Sequence, residues 1–159
     1  MSHSSKPSLL KVILLAGLLA GLLDIIAACV NAYINNSNVT PDRVLRYIAS
    51  GVYGPEAFKG GTEMIIMGLL FHFVIATGFA ALFVLLAQRF RFLTRHFVIS
   101  GLIYGVIVWV IMNQVVVPLS EVKRGPFNWR RAIEAALILM FMIGLPIAWI
   151  TKRYYPAMK

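Results

Sequence analysis

Four stretches of the chain, Val12 to Ile34, Met64 to Ala87, Phe97 to Val117 and Ala132 to Thr151, are apolar almost without interruption, and shorter polar segments separate them. Each stretch is 20 to 24 residues long, enough for a helix to cross roughly 30 Å of hydrocarbon. Barrel strands are about half that length and alternate in polarity, which these stretches do not, so the expected spanning element is the α-helix. The pattern predicts an all-α polytopic membrane protein with four transmembrane helices, at residues 10–34, 62–88, 97–117 and 130–152, in an up-down bundle. Residues 1–159 read as a single integral membrane domain that opens with a disordered tail over residues 1–8.

Between the first two spans, Thr40 is placed to cap a helix, Pro41 to occupy its first position and Asp42 its first turn. A short helix over residues 41–50 follows, stopped by Gly51, with apolar Val44, Leu45, Tyr47 and Ile48 beside Arg43 and Arg46. That mixture suits a helix that lies on the membrane surface or dips into the bundle. Gly54-Pro55 then turns the chain, and Gly60-Gly61 leads it closely into the second span.

Within the spans, small and polar residues fall into rows. Gly17, Gly21, Asp24, Ala28, Asn31 and Asn35 follow one another at spacings of three and four and so share one face of the first helix. Gly68, His72, Ala76 and Ala80 do the same in the second. Small residues let helix backbones approach in lipid, so these faces are expected to meet protein. The third helix repeats the device of the first, Gly101 and Gly105 against Gly17 and Gly21, either as ordinary packing or as the trace of an internal duplication. In the fourth, Glu134, Leu137, Phe141, Gly144, Ala148 and Thr151 form a row, and Pro146 is expected to kink the helix.

Composition supports the membrane class. Hydrophobic residues make up 60% of the chain, charged ones only 13%, and mean hydropathy is +0.81, unlike a soluble domain. The net charge of +9 comes from basic residues scattered in short loops, which fits anionic lipid headgroups as partners better than nucleic acid. Ile26-Ala27-Ala28-Cys29 resembles a lipoprotein cleavage box, but Asp24 inside the apolar run and the length of that run favour a retained helix. The one cysteine excludes an intramolecular disulfide. Two sequons, at Asn35 and Asn38, abut the membrane and are read as chance.

With four spans, both termini and the middle loop share one side and hold eight of the 15 basic residues. Arg89, Arg91 and Arg95 in the short middle loop point to that side as cytoplasmic, and Lys123, Arg124, Arg130 and Arg131 argue the other way. The expected location is the cell inner membrane with cytoplasmic N- and C-termini. Asp24 and His72 then lie near mid-span, with Asn31, Asn113, Gln114, Glu134 and Glu63 nearer the outer surface. The inner halves of the four apolar stretches hold no Asp, Glu, Lys, Arg or His. The expectation is a polar pocket that opens outward and ends at Asp24 and His72. An ionised aspartate at mid-bilayer costs about 2.5–3.5 kcal/mol, so it calls for pairing, protonation or water. The pair serves either as a proton-responsive couple or as a hydrogen bond that joins two helices. No metal or other cofactor is expected: nothing in the chain has the spacing of a metal motif, and a haem held by two axial histidines lacks a second histidine in a span.

The run Tyr47-Ile48-Ala49-Ser50-Gly51-Val52-Tyr53-Gly54-Pro55-Glu56-Ala57-Phe58-Lys59-Gly60-Gly61, then Gly68-Leu69-Leu70-Phe71-His72-Phe73 and later Val116-Val117-Pro118-Leu119-Ser120, resembles a group of small bacterial inner-membrane proteins without assigned function. The resemblance covers roughly residues 10–120 and implies a four-helix membrane protein; it transfers no catalytic residue. The chief functional expectation is a non-enzymatic module that binds a small ligand or partner helix. The alternative is a proton-coupled transporter or channel working as a homo-oligomer, and an embedded enzyme acting on lipid comes third.

Overall fold

A computed structural model of the chain describes residues 8–123 and 125–155. These residues are helical almost throughout. The elements are α1 (Leu9–Asn35), α2 (Pro41–Tyr53) with a 3-10 turn at Gly54–Phe58, α3 (Thr62–Arg89), the one-turn α4 (Phe92–Arg95), α5 (Phe97–Val116) and α6 (Trp129–Tyr154). Four of them, α1, α3, α5 and α6, are long and apolar enough to cross a membrane.

Most of the tail expected at residues 1–8 lies outside the described residues, but Ser8 caps the start of α1 by accepting a hydrogen bond from the Lys11 N–H at 3.3 Å. The short helix also outruns its expected stop. It passes Gly51 and ends at Tyr53, because the residue that breaks it is Gly54, at φ +57°, a backbone angle that side chains disfavour.

The long helices meet where their glycines are. A Cβ on Gly17 would stand 2.7 Å from the Thr77 Cα, and one on Gly21 2.9 Å from the Phe73 ring, so α1 rests directly on α3. Gly101 and Gly105 of α5 admit the backbone of α6 at Gly144, Leu145 and Met140 in the same way. In both pairs, rising numbers on one helix meet falling numbers on the other. Helix α6 also packs on α1, and α2 lies along α3, where the absence of a side chain at Gly68 lets the Leu45 backbone in.

The apolar core sits at one end, formed by Val12, Ala16 and Ala20 of α1, Ala80, Phe83, Val84 and Ala87 of α3, Tyr104 and Val108 of α5, and Ile147, Ala148 and Ile150 of α6. The expected rows on α1 and α3 are inward: none of their ten residues is exposed. On α6 the row breaks, with Leu137 46% and Phe141 49% exposed. The reason is a wide turn over Leu139–Gly144, where the Leu145 N–H donates to the Met140 carbonyl five residues back. The extra residue per turn sets the two halves of the helix on different faces, so Gly144, Ala148 and Thr151 are buried while Leu137 and Phe141 of the same row are exposed. Helix α5 has a matching wide turn at Met112–Val116, in which the Val117 N–H reaches the Met112 carbonyl at 2.9 Å. A proline follows each wide turn, Pro118 and Pro146. Its missing N–H and its clash with the carbonyl four residues back disfavour a regular α-turn there.

Candidate functional site

Above the core, at the level where Ala76, Val108 and Ile143 stop, the helices line a partly open cavity of about 100 Å³. Asp24 of α1 and His72 of α3 line it together, and every other lining residue is apolar: Ile48 of α2, Ile75, Ala76 and Phe79 of α3, Val108 and Met112 of α5, and Leu139 and Ile143 of α6. Met112, Leu139 and Ile143 come from the two wide turns. Ile48 comes from the short helix, which therefore dips into the bundle and contributes to the wall of this space.

His72 is held by backbone. Its Nε2 lies 2.8 Å from the Gly21 carbonyl oxygen. A carbonyl only accepts, so Nε2 carries the hydrogen, and in the neutral ring Nδ1 is left as the acceptor. Asp24 is close enough for its charge and that of His72 to interact, but among the described residues no protein group donates a hydrogen bond to it or forms an ion pair with it. No buried side-chain oxygen or nitrogen lacks a partner among the described residues, so the Asp24 oxygens open on the cavity rather than being sealed against apolar wall.

The remaining polar residues expected in one pocket are divided. Asn31 and Glu134 meet at the ends of α1 and α6 through Asn35, whose Nδ2 donates to Asn31 Oδ1 at 3.2 Å and to Glu134 Oε2 at 3.0 Å; Glu134 also accepts from Arg130 Nε at 2.8 Å. Asn113 donates to the Trp109 carbonyl at 2.9 Å and lines a separate recess of about 350 Å³ with Tyr47, Phe127, Asn128 and Arg131. Gln114 is exposed. Glu63 turns back to accept from the Gly61 N–H at 2.6 Å, at the start of α3. Among the described residues no three His, Cys, Asp or Glu side chains gather as metal ligands would.

Three features of the site were not foreseen from the residues: Ile48 in the cavity wall, the Gly21 carbonyl as the partner of His72, and the wide turns. Only the last had a signal, in Pro118 and Pro146. Outside the four long helices, the Thr40 hydroxyl, and with it the Asp42 N–H and Arg46, holds the exposed Asp42 carboxyl below the usual carboxylate range. Arg46 also donates to the Gly60 carbonyl, which ties α2 to the loop before α3. No protein-family model, no curated protein and no solved structure matches the chain.

Proposed function

We propose that this chain is a multi-pass protein of the cell inner membrane, an up-down bundle of its four long helices with α2 at the outer interface and both termini cytoplasmic, and that the Asp24–His72 cavity is a recognition site rather than a catalytic one. Asp24 carries this reading. It is a carboxyl group inside an apolar helix to which no described protein group donates, and such a group is either protonated or takes a donor or a cation from elsewhere. A space of about 100 Å³ holds a few non-hydrogen atoms, which fits a small cation, a water cluster, or the amino or hydroxyl tip of a larger ligand or partner helix.

Thermal unfolding in detergent with ammonium or methylammonium chloride tests it. Stabilisation of the wild type beyond that given by equal tetramethylammonium chloride, lost in Asp24→Asn, is expected. Equal response in both proteins would remove the recognition site.

A second reading, a proton-coupled transporter or channel acting as a homo-oligomer, is favoured by the two wide turns that line the same cavity, since such turns are frequent at functional sites. The closed core beneath the cavity weighs against a path through one chain. Proton or solute flux in liposomes, compared among wild type, Asp24→Asn and His72→Ala, separates the readings. Flux lost in well-folded variants selects transport, and no flux in any form selects recognition.

A further inference from the structure

Helices α3 and α5 make little direct backbone contact. They are bridged by the Tyr104 hydroxyl, which donates to the Phe79 carbonyl at 2.6 Å, and by the Phe83 and Tyr104 rings, whose centroids are 4.9 Å apart. Over that bridge lies a groove of about 550 Å³. Its floor is buried, with Phe83 1%, Tyr104 5% and Ser100 7% exposed, while Leu86, Ile103 and Ile107 rise on either side at 37%, 56% and 45%. From Ile107 to Ile99 the groove follows roughly 12 Å of helix axis, and it ends under α4 at Leu93 and His96.

The segment at that end is basic: Arg91 adjoins Phe92 and Arg95 adjoins His96, both of which line the groove. Arg89, Arg91 and Arg95 are exposed, and none is bonded to a carboxylate among the described residues. Lys152 stands 4.0 Å over the Phe97 ring at the start of α5. All six acidic residues of the chain, Asp24, Asp42, Glu56, Glu63, Glu121 and Glu134, belong to other segments. An apolar channel that leads up to uncompensated guanidinium groups matches an acyl chain joined to an anionic headgroup. A second copy of the chain would bring the same cations against this segment and be repelled.

We propose that the α3–α5 groove is a binding site for one acyl chain of an anionic phospholipid, with its phosphate held by Arg91 and Arg95. This rests on the membrane reading above and is independent of the role of Asp24. Guanidinium groups are suited to phosphate because they donate through a fixed fork.

The test is native mass spectrometry of the full chain, released from micelles doped with equal dioleoylphosphatidylglycerol and dioleoylphosphatidylcholine. The wild type is expected to retain one phosphatidylglycerol in preference to phosphatidylcholine by roughly tenfold, the scale expected from one to two surface cations acting on one headgroup. Arg91→Gln with Arg95→Gln, both exposed and so without folding cost, should bring that ratio close to one. Ser100→Phe, which fills the floor, should lower retention of both lipids, with circular dichroism checking that it folds. Equal retention of the two lipids by the wild type, or an unchanged preference in the double arginine variant, would overturn the site. A dimer that dissociates on filling the groove would assign it to a second copy instead. Carbonate-resistant sedimentation with membranes, measured alongside, tests insertion itself, so that failure of the lipid site and failure of the membrane reading are told apart.

Discussion

His72 Nε2 and the Gly21 carbonyl oxygen lie 2.8 Å apart, joining α3 to α1 through a bond that a side chain makes to backbone. The relationship explains why glycine stands at position 21. A Cβ there would press on the Phe73 ring at 2.9 Å and on Ala76 at 3.2 Å, and so move α3 away from the carbonyl that His72 uses. It also leaves Asp24, one turn along α1, without a protein donor.

From this bond, neutral His72 is expected in the tautomer protonated at Nε2, which the nitrogen-15 shifts of the imidazole report. His72→Ala should cost about 1 kcal/mol in detergent unfolding, the usual value of an interhelical hydrogen bond in membrane proteins. A ring found protonated at Nδ1 alone would contradict the geometry.

Glycines in the helix contacts should respond differently from a glycine in open space. A Cβ at Gly105 would meet Met140 and the Leu139 carbonyl, whereas one at Gly78 meets nothing within 4 Å. Gly105→Ala should therefore destabilise by about 1–3 kcal/mol through overpacking. Gly78→Ala should be neutral or stabilising by up to about 1 kcal/mol, since alanine loses less backbone entropy in a helix. Thermal unfolding of the two variants in one detergent makes the comparison.

Ile48 is the contribution of α2 to the cavity wall, so truncating it should open the space. With Cys29→Ser as background and Ile75→Cys as reporter, Ile48→Ala is expected to raise the rate at which a small methanethiosulfonate labels the introduced thiol several-fold. An unchanged rate would mean that the route to the cavity does not pass α2.

Asp42 supplies a dependence on pH. Its carboxyl is held below the ordinary range, first by the Thr40 hydroxyl, so the folded state favours the ionised form. The sign follows: the stabilisation of α2 is present above the ordinary carboxylate pKa of about 3.9 and is lost as pH falls through the lower folded value. An NMR titration should show the Asp42 midpoint below that of a model peptide, and Thr40→Val should move it up.

What the sequence determined by itself was the set of four long apolar helices and the inward faces of α1 and α3. Length and hydropathy are properties of each segment alone, and in a regular helix Gly17, Gly21 and Asp24, or Gly68, His72 and Ala76, fall on one side wherever the partner lies. The rest was decided only when the helices met. The row on α6 failed because the wide turn at Leu139–Gly144 changes the number of residues per turn, and Leu137 and Phe141 rotate outward. The polar residues expected in one pocket separated because each took the partner nearest in space: Glu134 took Asn35 and Arg130, Glu63 took the Gly61 N–H, and Asn113 took the Trp109 carbonyl. Asp24 and His72 stayed together, since the close approach at Gly17 and Gly21 sets the register of α1 on α3 and so brings both side chains to one cavity.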